Sequence, residues 1–263
     1  MFETRSVGAS SSAVFDTRGT YLFAVTHSGA DVASGASVAS GTSIEIIQQG
    51  RLAGLAASFD ISERGATDEM KRCHDAVLRN LTESIAFVPM AEGTTFGGPD
   101  GVRTFLAEFE KAFSDELERI GRAVEFDLRL VWDVDECFDL LAERHPRLST
   151  LQQKAEQSTG SEARRAAFQI GRAYDDILQR ERREHLDRLE EALGESCLEI
   201  RHFDCTHESE LARLRCLVHG DDAEAFEQHI YDLADSLADE TRFDLTEPRP
   251  PKSFTEDKFE LIA

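Results

Sequence analysis

Six side chains between residues 197 and 219 could in principle hold a metal: Cys197, His202, Cys205, His207, Cys216 and His219. Zinc takes thiolate and imidazole ligands in a tetrahedral set, usually supplied by closely spaced pairs. No such pairing occurs here, and on a strand His202 would point away from Cys197 and Cys205. These residues read as parts of strands and turns, and no metal is expected. A cysteine nucleophile needs a base beside it and a lowered pKa. Cys73 and His74 are adjacent on a helical pattern, where neighbouring side chains diverge. No Gly-x-Ser-x-Gly elbow is present. Gly93-Thr94-Thr95-Phe96-Gly97-Gly98 has the glycines of a phosphate loop but no Lys-Ser/Thr ending, and Glu92 and Asp100 flank it with negative charge. It reads as a strand-to-helix turn. Acid pairs such as Asp133 and Asp135 are too common in this chain to mark a general acid and base. The residues point to no enzyme and no cofactor.

The elements around these residues follow from periodicity. Residues 1–19 are rich in Ser, Gly, Thr and Ala and read as a flexible arm. Tyr21 to Val25 is a short apolar strand, and Ser28 to Ser43 a loop. Ile44 to Gln48 and Arg51 to Ser58 form a hairpin across Gln49-Gly50. Thr67 can cap a helix to Thr82 with Met70, Cys73, Val77 and Leu81 on one face. Ile85 to Pro89 reads as a strand. One helix is expected from Gly101 to Arg122, where Val102, Phe105, Leu106, Phe109, Phe113, Leu117 and Ile120 form a stripe. Phe126, Leu128, Leu130 and Trp132 alternate with charged residues, as in a half-buried strand.

This order resembles a ferredoxin-like α/β sandwich with an extra hairpin strand. The expected domain spans residues 20–133, with a polar, partly helical connector over 134–160 whose apolar anchors are Phe138, Leu140, Leu141, Leu148 and Leu151. A second α+β domain, a modified ferredoxin-like unit with long helices, covers 161–247. Its elements are a helix from Ser161 to Leu193, strands at Leu198–Phe203 and Leu214–Val218, a helix opening at Asp221-Asp222, and a strand at Thr241–Leu245. A proline-rich tail covers 248–263.

Composition narrows the function classes. The chain has 263 residues, 51 acidic against 29 basic, and a net charge of −22. That charge opposes phosphate neutralisation and docking on anionic lipid, so neither nucleic acid nor membrane is an expected partner. No apolar run reaches the roughly 18 residues of a membrane span. The five cysteines are scattered, as in reduced intracellular thiols. Seventeen phenylalanines against three tyrosines supply apolar bulk without polar handles. Phe254, Phe259, Leu261 and Ile262, near the end of the sequence, either wrap back over the domains or offer a partner an edge.

Four segments, in order, resemble the gas vesicle accessory family GvpF/GvpL. Tyr21-Leu22-Phe23-Ala24-Val25 is similar to its opening strand, Tyr-Leu-Tyr-Ala/Gly-Val. Val88-Pro89-Met90-Ala91-Glu92-Gly93-Thr94-Thr95-Phe96 is similar to its Leu-Pro-Leu/Met-Arg-Phe-Gly-Thr-Val-Phe turn. Gly171-Arg172-Ala173-Tyr174 matches a Gly-x-x-Tyr on its long helix. Pro248-Arg249-Pro250-Pro251-Lys252-Ser253-Phe254 is similar to its closing Gly-Pro-Trp-Pro-Pro-Tyr-Ser-Phe. Ala91-Glu92 replaces Arg-Phe, and Glu247, Arg249 and Lys252 replace Gly, Trp and Tyr.

The resemblance implies two α/β domains, the first ferredoxin-like, without enzymatic activity or cofactor. It implies a minor gas vesicle component in the cytoplasm that binds the hydrophobic shell protein, and possibly other accessory proteins, during nucleation and assembly. Met90, Thr94, Thr95, Phe96, Phe105, Phe109 and Phe254 are the expected protein-binding residues. A small-molecule enzyme or binding protein on paired ferredoxin-like modules is the alternative reading.

Overall fold

The computed structural model describes residues 18–32, 43–60, 66–82, 84–134, 136–237 and 240–255. Phe259, Leu261 and Ile262 lie outside them, as do nearly all of the N-terminal arm and the middle of the loop before the hairpin.

The first sheet contains β1 (Arg18–His27), β2 (Glu45–Gln49), β3 (Leu52–Asp60), β4 (Val88–Pro89) and β5 (Thr95–Phe96). The strands run β2-β3-β1-β4, all antiparallel, and β5 also pairs with β1. β1 is buried on both faces. A bulge between Leu22 and Ala24 turns Phe23 and Ala24 to the same side as Tyr21. The hairpin from β2 to β3 turns on Gly50, whose φ of 57° favours glycine.

Helix α1 (Ala66–Thr82) lays Met70, Cys73, Val77, Leu78 and Leu81 on one face of this sheet, against Tyr21, Phe23 and Leu55. The opposite face takes α2 (Pro99–Glu108) and α3 (Glu110–Ile120), through Val102, Phe105, Leu106, Phe113 and Leu117. Each such side chain fully removed from water contributes about 1.5–3 kcal/mol. The single helix expected over this stripe is bent in two at Phe109, where φ is −106° and ψ 18°. The backbone hydrogen bonds from Phe109 N–H to Phe105 O (3.1 Å) and from Phe113 N–H to Phe109 O (3.0 Å) persist across it. The stripe survives while its axis follows the twisted sheet. The strand expected over Ile85 to Pro89 is reduced to β4, because only Val88 and Pro89 reach pairing positions beside β1.

The second sheet holds β6 (Ala123–Trp132), β7 (Glu199–His202), β8 (Glu210–His219) and β9 (Thr241–Leu245), in the order β7-β8-β6-β9. Here the structure departs from the expected organisation. The strand over Phe126 to Trp132, read as the last of the first domain, is a central strand of the second sheet. β1 already has neighbours on both sides, whereas β6 finds in β8 an antiparallel partner of equal length. Gly121, at φ 51°, turns the chain between α3 and this new sheet.

Both sheets thus share the ferredoxin-like strand order, with the first strand of each unit inside. In the second, α4 (Cys137–Arg144), α5 (Pro146–Glu156), α6 (Gly160–Leu193) and α7 (Ala223–Ser236) cover one face. The partly helical connector is α4 and α5, and rather than linking two cores it belongs to the second one, with Leu141 and Leu148 buried beside Phe126, Leu128 and Leu130. Helix α6 has 34 residues and spans about 51 Å at 1.5 Å per residue. The other face of this sheet carries charge: Glu125, Asp127 and Arg129 on β6 opposite Arg213 and Arg215 on β8.

After β9 the chain continues along β6. Thr246 N–H donates to Asp127 O (3.1 Å), and Arg249 and Glu125 exchange backbone bonds of 2.8 and 2.9 Å. Pro250-Pro251 then turn it into a short 3-10 helix, Lys252–Phe254. Phe254 is fully buried in the first unit's core, with Leu22, Val88, Met90 and Leu117. The closing segment is a clip from one unit into the other.

Candidate functional site

The central turn is built on β1. Met90 N–H donates to Phe23 O (2.9 Å), and Leu22 N–H donates to Thr94 O (3.0 Å). The Thr94 hydroxyl donates to Ala91 O (2.8 Å), closing the loop on itself. Gly93 has φ 96°, and a Cβ there would lie 3.3 Å from Lys71 Cε. Its amide donates to Tyr21 Oη (2.8 Å), which lies 3.1 Å from Nδ1 of His74. A tyrosine hydroxyl that accepts from Gly93 has its own proton for the His74 nitrogen, so Nδ1 accepts and the ring is neutral. Burial, with the Lys252 charge adding to it, pushes the His74 pKa down to about 4. Burial likewise pushes Tyr21 up to about 12. This polar pair anchors the turn from beneath.

Beside the turn runs a ladder of phenylalanines. Phe105 stands at its centre, 5.1 Å from Phe96, 5.2 Å from Phe109 and 5.5 Å from Phe113 between ring centroids. Such tilted and edge-on pairs suit the ring quadrupoles. Phe105 and Phe113 are buried, whereas Phe96 and Phe109 are half-buried at the ends. The tertiary structure thus brings five of the expected binding residues, Met90, Phe96, Phe105, Phe109 and Phe254, into one cluster. Thr94 and Thr95 sit on the turn, Thr94 buried and Thr95 exposed. Met90, Thr94, Phe105 and Phe254 offer no surface of their own. Thr95, Phe96 and Phe109 do.

A second constellation lies where the units meet. Both the amide and the hydroxyl of Ser253 donate to Glu125 Oε2, at 2.9 and 2.6 Å. Arg249 and Arg215 stand 3.5 and 3.7 Å from Oε1 of the same carboxylate. Arg119 bonds Glu116 and Glu199 and also donates to Phe254 O (3.0 Å). Arg201 lies over the Phe254 ring, 5.0 Å from its centroid, and donates to Ser253 O. Lys252 pairs with Asp75 on α1, whose carboxyl it holds below the usual range. Sequence reasoning missed this network. The alternation of Glu125, Asp127 and Arg129 with apolar residues was its one visible sign.

The remaining chemical candidates disperse. His202 pairs with Glu190 (2.8 Å) and His207 with the Ser209 hydroxyl (2.9 Å). Cys216 is buried against Cys197, which raises its thiol pKa. Among the described residues no three metal-ligating side chains converge. No described helix is long and apolar enough to cross a membrane.

A family model described as Gas vesicle synthesis protein GvpL/GvpF matches residues 19–256, from the first residues of β1 to just past the clip. The chain belongs to the GvpL/GvpF family. The match closes on the segment that joins the two units, so this family's sequence pattern includes the clip as well as both sheets. Gas vesicle protein L1 of Halobacterium salinarum is 28% identical over 185 residues, covering 65% of this chain and 64% of that protein's own length. The crystal structure of GvpF from Anabaena sp. PCC7120 superposes with a TM-score of 0.75 at 13% identity, covering 90% of this chain and 98% of that one. GvpF from Microcystis aeruginosa gives 0.69 at 14% identity, covering 90% and 99%. At such identity the likeness is one of fold, and it extends over both units. The GvpL/GvpF family is one of gas vesicle accessory proteins, not a class of enzymes.

Proposed function

We propose that this chain is a non-enzymatic assembly factor that binds the hydrophobic gas vesicle shell protein and supports nucleation or assembly of the vesicle in the cytoplasm. The observation that carries the reading is the phenylalanine ladder, which ends at the surface in Phe96 and Phe109. Thr95, next to Phe96 on β5, is exposed as well. An apolar partner gains from burying these side chains, while the buried Met90, Phe105 and Phe254 hold them rigid from below. A net charge of −22 keeps such a holder dissolved while its partner is bound. Other gas vesicle proteins are further partners in this reading.

The test is co-purification of tagged full-length protein with the shell protein expressed in the same cells. The double change Phe96→Asp and Phe109→Asp is expected to lower recovery of the shell protein at least tenfold. Phe168→Asp on α6, at a side chain 69% exposed in the other unit, is expected to leave recovery unchanged. No recovery with the unaltered protein, or equal loss in both variants, overturns the assignment.

A further inference from the structure

The charged junction encloses a cleft of about 300 Å³ between the units. Its walls include Arg79 and Asp75 from α1, Glu125 and Arg215 from the second sheet, and Arg249 and Lys252 from the clip. The two carboxylates are already engaged, Asp75 with Lys252 and Glu125 with both donors of Ser253. Asp127 stands behind Arg215 and Arg249 at 3.6 and 3.5 Å. Even with Asp127 counted, cations exceed anions by one, in a chain of net charge −22.

The three arginines have donors to spare. A guanidinium carries five N–H groups. Among the described residues, the side chains of Arg79, Arg215 and Arg249 donate no hydrogen bond. The approaches of Arg215 and Arg249 to Glu125 and Asp127, 3.5 to 3.7 Å, are ion pairs too long to be hydrogen bonds. Nε of Arg215 and Nη2 of Arg249, the atoms that make these ion pairs, are buried without a hydrogen bond. Leaving buried donors unmade is costly, and charged ones most of all. Two of the three groups are also fixed in place. Arg215 stacks on Phe203 at 4.4 Å, and Arg249 is held through its backbone pair with Glu125.

We propose that this cleft binds a small oxyanion, a phosphate or a carboxylate group, gripped by Arg79, Arg215 and Arg249. Planar guanidinium forks match both kinds of anion in bidentate fashion. The ligand touches α1, the second sheet and the clip together, so binding braces the joint between the units. The site is separate from the aromatic ladder and does not depend on shell-protein binding.

The test titrates inorganic phosphate, pyrophosphate and succinate into the full chain at constant ionic strength, following thermal unfolding and calorimetric heat. A saturable rise of about 2–3 °C at ten times Kd is expected for a protein of this size. Arg79→Ala removes an exposed cation that makes no salt bridge with any described residue, and is expected to weaken binding at least tenfold with the fold intact. Arg215→Lys keeps the charge but loses the fork, and weakens it as well. Arg147→Ala, on the exposed side of α5, controls for general charge effects. A response to the phosphates alone assigns a phosphoryl ligand, and a response to succinate alone a carboxylate one. No saturable response to any of the three, or equal affinity in Arg79→Ala and the unaltered protein, overturns the proposal.

Discussion

Ser253 gives both its amide and its hydroxyl proton to one carboxylate oxygen of Glu125, across 128 positions of sequence. That contact joins the clip to the start of β6 and sets Phe254, the next residue, into the other unit's core. A half-dozen residues at the end of the fold thereby hold its two sheets in one arrangement.

Removing the acceptor should cost more than removing the donor. Ser253→Ala loses one neutral-to-charged hydrogen bond and is expected to lower stability by about 1.5–3 kcal/mol. Glu125→Ala takes away one of the two carboxylates beside Arg215 and Arg249 as well as the acceptor of both Ser253 donors, and is expected to cost about 3–5 kcal/mol. Urea unfolding of both variants decides the order. Equal midpoints would show that the carboxylate is dispensable to the arginines.

Phe254→Ala empties a fully buried ring site in the core that also holds Leu22, Val88, Met90 and Leu117. Its expected cost is about 3–5 kcal/mol. Limited proteolysis should then cut between Glu247 and Ser253 well before it cuts either sheet, because an unanchored clip exposes its backbone. Cutting rates unchanged from those of the unaltered protein would show that the ring does not anchor it.

At the central turn, Gly93→Ala places a Cβ at φ 96° and is expected to cost about 1–2 kcal/mol. Tyr21→Phe removes the hydroxyl shared by the Gly93 amide and His74, leaving a half-buried amide and a buried ring nitrogen unmet. About 2–4 kcal/mol is expected there. Thermal unfolding of the two single variants and the double one measures their coupling, which should be clear because both act through one hydrogen bond.

His74 predicts a window of acid sensitivity. In the unfolded chain its imidazole takes up a proton as pH falls below about 6.5, whereas in the fold it stays neutral down to about 4. The unfolded state therefore binds more protons between these values, and stability falls as pH drops through that window. Above the window this residue costs the fold nothing, and below it the full loss persists without changing further. The total is about 3 kcal/mol. Urea midpoints at pH 7 and pH 5 should differ less in His74→Gln than in the unaltered protein. An equal difference would assign the acid sensitivity to other groups.

Local periodicity was enough to read much of the fold. Alternation marked β6, the three-and-four spacing of Val102 to Ile120 marked the stripe of α2 and α3, and Gln49-Gly50 marked the hairpin. The bend at Phe109 escaped notice because no proline or glycine stands there; it follows from the sheet beneath the helices. The site was legible only in part. The sequence order placed Met90 and Phe96 on one turn, but nothing in it separated the rings that face solvent from those that support them.

By itself, then, the sequence determined most element types and their order, the acidic composition and the motifs of a gas vesicle family, because each rests on neighbours within a few residues or on composition. Tertiary structure decided which sheet owns β6, where Phe254 goes and which arginines meet Glu125. An alternating strand has one apolar face whichever sheet receives it, and a proline-rich ending reads the same whether it hangs free or closes a joint. Arg215 and Arg249 reach one carboxylate only because β8 and the clip flank β6, and pairing between distant strands is settled by the burial of whole faces rather than by any local signal.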